Sequence, residues 1–281
     1  MAQKVHVRFL SWPSTVAIMI ALLVTVASSW AAPPKRPAKP QQGCAAWSDD
    51  FSSPTLNPQL WVIAKGPAPG YIPGVHAGYY DPRHVSIENG YLKIELTQDT
   101  GLVDGSSGVV SHGGLVYTQM KCGYGTYEWT MRMSSTSDTP GGSGAWVSGS
   151  VSAGFLYVNN SETEIDFEYS ALTPEDVWAV NWHNTKTNSD PTGSMETATQ
   201  VSKPDATAYP PHTYRFVWER RAITFYIDGV EVARHRKNIP SAPAYFMINH
   251  WGTDSPYWGG YATVGTPRYF YVDSVSYTPS K

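Results

Sequence analysis

An all-β fold is predicted by three observations. Nearly every periodic segment alternates with a period of two, no apolar stripe of helical spacing persists for three turns, and Asn89-Gly90 and Asp228-Gly229 each interrupt an alternating run. Such dipeptides tolerate positive φ and so favour two-residue hairpin turns. Segments 86–96 and 223–233 are therefore expected to fold back on themselves. Further strands are expected at 126–133, 145–151, 164–169, 178–183, 213–219, 245–251 and 269–277. That number suits two packed sheets, a sandwich, better than a small barrel. Segments 134–144 and 189–211, rich in Gly, Pro and Ser, are predicted to be surface loops of the kind that shape a binding cleft.

Composition narrows the partner. The 281 residues are 41% hydrophobic and 13% aromatic, enough for one sizeable core and one main domain. With 15% charged residues and a formal net charge of -3, no strong field of either sign exists to steer nucleic acid or an anionic membrane, so neither is expected as a partner. The 11 Trp and 18 Tyr exceed what a core usually needs, and surplus aromatics on a polar protein often stack on ligands such as sugar rings. The bland alternative is that they are core.

The start of the chain reads as an address. Lys4 and Arg8 precede an apolar run at 16–26, followed by the small-residue pattern Ser29-Trp30-Ala31, so residues 1–31 are expected to be a signal peptide and the protein to be secreted or periplasmic. An uncleaved anchor is the alternative, although the run falls short of the roughly 20 apolar residues of a membrane span. Residues 32–43, rich in Pro and Lys, read as an extended linker, and residues 44–281 as the folded domain, expected to be monomeric. Cys44 and Cys122 are the only cysteines. They are candidates for one disulfide in an oxidising compartment, with two free thiols the other reading.

The chemistry concentrates in Glu164-Ile165-Asp166-Phe167-Glu168-Tyr169. Alternation in a strand puts Glu164, Asp166 and Glu168 on one face and Ile165, Phe167 and Tyr169 on the other. Neighbours in the acidic row then lie about 7 Å apart at Cα, close enough to repel unless the charges are used or neutralised. A solvated acidic face is the simplest alternative, but the adjacent segments supply Trp178, Trp182 and Trp251, which are too aromatic for a plain exterior. Cleaving a glycosidic bond requires one carboxylic acid to protonate the leaving oxygen and one carboxylate to attack or stabilise the sugar carbon. The row supplies both, and Asp166 between them would raise a neighbour's affinity for its proton. The symmetric spacing leaves open which Glu is the nucleophile, and an inverting geometry remains open too.

Together with Ser48-Asp49-Asp50-Phe51, Gly123-Tyr124-Gly125-Thr126-Tyr127-Glu128, Trp218-Glu219, Phe225-Tyr226-Ile227-Asp228-Gly229 and Met247-Ile248-Asn249-His250-Trp251, the acidic strand resembles glycoside hydrolase family 16, along residues 47–277. The resemblance implies a β-jelly-roll sandwich of two antiparallel sheets with a concave substrate cleft, and retaining endo-hydrolysis of a β-linked glucan without a cofactor for catalysis. By position it implies Glu164 as nucleophile, Asp166 as assisting carboxylate and Glu168 as general acid/base. The single residue between Asp166 and Glu168 is similar to the licheninase and xyloglucan-enzyme branch. Trp251 and Trp258 are implied as sugar platforms, Asn181 and Asn249 as hydroxyl partners, with Trp182 and His183 beside them; a structural hydrogen bond is the other reading of His183. Asp273, the Gly90 carbonyl and Asp50 fall where family members hold one structural calcium.

Departures from the family bear on specificity. Licheninases carry Glu and Arg where this chain has Leu115 and Tyr117, and an aromatic where it has Glu162. These replacements alter sugar contacts without touching the carboxylate row. Two rivals remain at this stage: a transglycosylase that passes the glycosyl group to another sugar, and a lectin-like binding module on the same fold.

Overall fold

Alternation becomes strand along most of the chain. The computed structural model describes residues 44–184, 195–202 and 205–280, so the expected signal peptide and linker lie outside the described residues. Seventeen strands follow in order: β1 (Trp47–Asp49), β2 (Trp61–Ile63), β3 (Gly66–Pro67), β4 (His76–Tyr80), β5 (Val85–Glu88), β6 (Tyr91–Val103), β7 (Ser106–Cys122), β8 (Gly125–Ser135) and β9 (Ser150–Val158), then β10 (Thr163–Ser170), β11 (Val177–Trp182), β12 (Glu196–Val201), β13 (His212–Glu219), β14 (Ala222–Ile227), β15 (Val230–His235), β16 (Ala244–Gly252) and β17 (Arg268–Pro279).

Two antiparallel layers result. One runs β12-β11-β10-β9-β16-β7-β2 and carries the acidic strand, β10. The other runs β15-β14-β13-β8-β17-β6-β5, with β1 also pairing β17. The long strands β6 and β7 belong to both. Residues Leu92–Leu96 pair with β17, Thr97–Val103 pair with the first half of β7, and the second half of β7 pairs with β16. This hairpin joins the two layers along one side of the sandwich. The fold is the expected β-jelly roll, with one exception to antiparallel pairing: β4 runs parallel to β7.

Hairpins form where the turn chemistry demands them. Asn89 and Gly90 (φ 54° and 78°) join β5 to β6, and Asp228 and Gly229 (φ 51° and 78°) join β14 to β15. Asp104 and Gly105 make a third such turn, between β6 and β7.

Two expectations fail. The strand expected at 145–151 begins only at Ser150 and runs on to Val158, because Ser150–Val158 is buried on both faces and shows no alternation to mark its ends. The loop expected at 189–211 contains β12, whose Thr-rich sequence forms an edge strand with little apolar content.

The core lies between the layers. Ile165, Phe167 and Tyr169 of β10 point inward and are fully buried. The Phe167 ring lies 5.9 Å from Trp129, 5.2 Å from Tyr214 and 5.3 Å from Phe225, contributions of roughly 1.5–3 kcal/mol for each such side chain buried. Gly154, the cross-strand partner of Phe167, leaves room for the Trp129 indole; a Cβ there would stand 2.4 Å from its Nε1. Gly154→Ala is therefore expected to cost about 1–3 kcal/mol, read as a lower midpoint in denaturant unfolding. An unchanged midpoint would mean the indole is not confined as described.

Cys44 and Cys122 are joined, with Cα atoms 5.2 Å apart across 78 residues of sequence. On a chain-entropy model, a closed loop of that length restricts the unfolded state by about 4.5 kcal/mol. The bridge fastens the segment before β1 to the end of β7, and the Trp47 indole donates to Cys122 Sγ at 3.4 Å.

Candidate active site

The site is built on the outward face of β10. Because β10 pairs on both sides, each carboxylate acquires two lateral neighbours: Trp182 and Tyr157 beside Glu164, Val180 and Phe155 beside Asp166, Trp178 and Ala153 beside Glu168. One strand further, the same face continues through Tyr245, Met247, Asn249 and Trp251 of β16, then through Tyr117 and Leu115 of β7. Leu115 and Tyr117 thus lie on the site's own sheet face.

This face is not an open exterior. Asp166 is only 4% exposed, Asn249 7% and Trp251 9%, whereas Glu164 and Glu168 are half-buried. Trp251 packs with Ala68, Tyr80 and Val151, and against Gly70, so residues before and within β4 wall one side. The segment after β16 brings in Trp258, which packs against the same cluster and whose ring meets Trp178 edge-on at 5.7 Å. The row therefore lies in a furrow edged by indoles.

Burial and crowding set the proton affinities. Burial pushes Glu168 up to about 8, aided by the charge on Glu164 and opposed by the Trp258 side chain, which hydrogen-bonds to it. Burial pushes Glu164 up to about 7, and the Ser161 hydroxyl, which donates to its Oε2, pulls it back down. Asp166 is also raised, first by burial and then by Glu164, Glu168 and Glu196. Glu196 of β12, opposite Trp182, is a fourth carboxylate in the field, itself raised by burial. The row thus holds fewer than its full set of charges at neutral pH.

Not every expected residue belongs to the furrow. Asn181 does not: alternation in β11 turns it inward, one residue from outward Trp182 and opposite Ile165, where it is fully buried. There its amide donates to the carbonyls of Lys237 (3.2 Å) and Asn238 (2.7 Å) and its oxygen accepts from His235 Nδ1 (2.7 Å). It is a strut for the segment after β15, not a partner for sugar. His183 lies just past β11, half-buried, its amide bonded to the Met195 carbonyl. Asn249 does face the furrow: its Nδ2 donates to the Tyr80 hydroxyl at 3.3 Å, and its buried Oδ1 finds no partner among the described residues.

The expected calcium ligands lie near one another along β17: Asp49, next to Asp50, pairs Val275, and Leu92, two residues after Gly90, pairs Val272, next to Asp273. Asp50 Oδ1 accepts from the Ser52 amide and hydroxyl. Among the described residues, no group of three or more His, Cys, Asp or Glu side chains is placed to hold a metal.

Sequence reasoning missed the polar skeleton that holds the Trp258 wall. Arg268, fully buried, donates to the carbonyls of Thr263 (3.2 Å), Thr266 (2.8 Å), Ser148 (3.0 Å) and Gly149 (3.2 Å), and to Gln98 Oε1. Burial lowers its pKa to about 10. Gln98 in turn donates to Ser111 Oγ and the Thr253 carbonyl, both at 3.0 Å. Ser111 donates to His76 Nε2 at 2.7 Å, because His76 Nδ1 must carry the proton that it gives to the Gly70 carbonyl at 2.6 Å. One network therefore fixes both walls. The amide of Gly259, next to Trp258, completes it by donating to Ser170 Oγ at the end of β10 (2.9 Å). A signal was available: Arg268 shares the inward register of β17 with Phe270 and Val272, where a charge stands out.

A partly protonated carboxylate row in an indole-edged furrow has the composition that acid-assisted cleavage of a glycosidic bond requires. The chain belongs to Glycosyl hydrolases family 16, whose match covers residues 76–265. It is similar to a Beta-glucanase of Acetivibrio thermocellus, 30% identical over 206 residues, which are 72% of this chain and 54% of that protein. The chain thus spans about half the length of that relative. It is also similar to the Endo-1,3-1,4-beta-glycanase ExoK of Rhizobium meliloti, 26% identical over 240 residues, 83% of this chain and 78% of that protein. Among solved structures, a prokaryotic beta-1,3-1,4-glucanase (lichenase) from a mouse hindgut metagenome shares the fold, with a TM-score of 0.65 and 24% identity over 84% of this chain and 100% of that one.

Proposed function

We propose that the chain is a retaining endo-β-glucanase that hydrolyses a β-1,3-1,4-linked glucan through a covalent glycosyl-enzyme intermediate. The observation that carries the reading is the row of Glu164, Asp166 and Glu168 on one face of β10 inside the indole-edged furrow, with burial raising both glutamates into the range of acid–base work. Position in the family's motif makes Glu168 the acid and Glu164 the anion, the division of labour that double displacement needs.

In the first step Glu168 gives its proton to the glycosidic oxygen as that oxygen leaves, while a Glu164 carboxylate oxygen bonds to the anomeric carbon. Asp166, raised by burial and by the glutamates on either side, can share a proton or hydrogen bond with either neighbour as the charge moves along the row. In the second step Glu168, now the base, takes a proton from water as the water oxygen attacks the same carbon and releases Glu164. Trp178, Trp182 and Trp258 offer apolar faces or edges to the rings.

The substrate class rests on the names of the relatives and is qualified by Leu115 and Tyr117, which change the far side of the furrow. The test is a screen of purified protein against mixed-linkage β-glucan, laminarin, xyloglucan and galactans, reading new reducing ends with and without acceptor oligosaccharide. New reducing ends on mixed-linkage glucan are expected. Chain-length redistribution without them would identify a transglycosylase, and binding without any cleavage would identify a lectin-like module.

A further inference from the structure

The turn that leads into the acidic strand has an unusual backbone. Asn159, Asn160 and Ser161, between β9 and β10, have φ of 47°, 55° and 62°, three consecutive non-glycine residues in the left-handed region. Asn visits that region readily and Ser much less so. The turn is tied down from outside. Asn184 donates from its amide to the Ser161 carbonyl at 2.7 Å and from its side chain to the Asn160 carbonyl at 2.9 Å, and Asn159 Nδ2 donates to Glu162 at 2.8 Å. Strain that the surroundings over-determine in this way points to a role for what it presents.

What it presents is a hydroxyl. Ser161 Oγ donates to Glu164 Oε2, and Tyr157 is the cross-strand partner of Glu164. Ser161 has one hydrogen, and an ionised Glu164 can only accept it.

We propose that Ser161 is a positioning residue that keeps Glu164 ionised and reserves its Oε1 for attack on the anomeric carbon. The inference rests on the proposed role of Glu164 as nucleophile and deepens it. With Oε2 engaged by the hydroxyl, Oε1 is the oxygen left to form the new bond as the glycosidic C–O bond breaks and Glu168 supplies the leaving proton. Once the ester forms, the carboxylate charge is gone and the Ser161 bond weakens. It regains strength as water displaces Glu164, which favours departure of the carboxylate in the second step.

Other titratable groups surround Glu164: Asp166 and Glu168 on its own strand, Tyr157 on β9, Glu196 on β12, His183 beyond β11, and farther along the face Tyr245 on β16 with Tyr117 and Lys121 on β7. All are untouched by the test variants, so differences between profiles report the Ser161 hydroxyl.

The experiment compares Ser161→Ala and Ser161→Gly with wild type, measuring kcat and KM on soluble mixed-linkage β-glucan across pH. Losing a donor to the ionised form raises the proton affinity of Glu164. The acid limb of kcat/KM is therefore expected to move up by about half to one pH unit in Ser161→Ala, with kcat about tenfold lower at neutral pH and KM little changed. Ser161→Gly relieves the backbone strain and lacks the hydroxyl. A wild-type acid limb in that variant would overturn the proposal, because the turn alone would then explain the serine. Wild type that cleaves no β-glucan overturns the functional reading and this proposal together, whereas active wild type with unmoved limbs overturns this proposal alone.

Discussion

Glu164→Gln is expected to reduce kcat by at least about 10⁴-fold while leaving the protein folded and able to bind glucan. The amide keeps the shape of the carboxylate but has no anionic oxygen to form the glycosyl ester, and removing a nucleophile is among the largest single losses an enzyme shows. Substrate binding, carried by the furrow walls, should persist, so binding and turnover separate. Because burial pushes Glu164 up to about 7, the native carboxylate sits where ionisation is unfavourable. Replacing it with a neutral isostere should leave the unfolding temperature unchanged or raised. With Glu164→Ala, azide in the vacated space should restore cleavage of an activated aryl glycoside and yield the α-glycosyl azide, since a single displacement inverts the centre. Turnover by Glu164→Gln within tenfold of wild type would remove Glu164 from the chemistry.

The second large effect is on Glu168 and is read through leaving-group dependence and pH. Glu168→Ala is expected to lower kcat/KM on polysaccharide by about 10²–10⁴-fold, the usual range for loss of a general acid. An activated aryl glycoside needs no proton on its leaving oxygen and should lose far less in the first step. The intermediate should then accumulate, because no base remains to deprotonate water, and azide should release it as the β-glycosyl azide. In wild type the kcat/KM profile should be bell-shaped. Activity rises as Glu164 loses its proton near 7 and falls as Glu168 loses its own near 8, the two limbs belonging to the coupled row. Glu168→Ala should abolish the alkaline limb with the aryl substrate. Its persistence would assign that limb to another group.

How much of this was legible in the sequence follows from where a period of two carries information. In β10 one face is acidic and the other apolar, so alternation alone placed Glu164, Asp166 and Glu168 together and Ile165 and Phe167 in the core. The Asn-Gly and Asp-Gly turns were legible because few residue pairs take positive φ at low cost. The same alternation, applied strictly to β11, separates Asn181 from Trp182. Family position suggested a sugar partner at Asn181, but the register makes it a buried strut. Strand β9 escaped because it is covered on both faces and reads as a mixed small and apolar run, and β12 because an edge strand of Thr, Ala and Gln has almost no apolar period. The wall-holding network of Arg268, Gln98, Ser111 and His76 gathers residues up to 192 positions apart, and no local pattern announces their meeting. Ser161 was hidden for a different reason: its importance lies in a φ of 62° and a hydroxyl aimed three residues ahead, both products of the folded turn.

Glu164 is expected to become covalently bonded to sugar in the course of the reaction. Mass spectrometry of the protein after incubation with an activated 2-deoxy-2-fluoro glucoside or its β-linked disaccharide, whose electron-poor ring slows release of the intermediate, reads that bond directly. The expected result is a single glycosyl adduct on the peptide that contains Glu164, lost when Ser161-to-Tyr169 is sequenced with Gln at position 164. An adduct on Glu168, or rapid turnover with inversion of configuration and no adduct, would contradict the account.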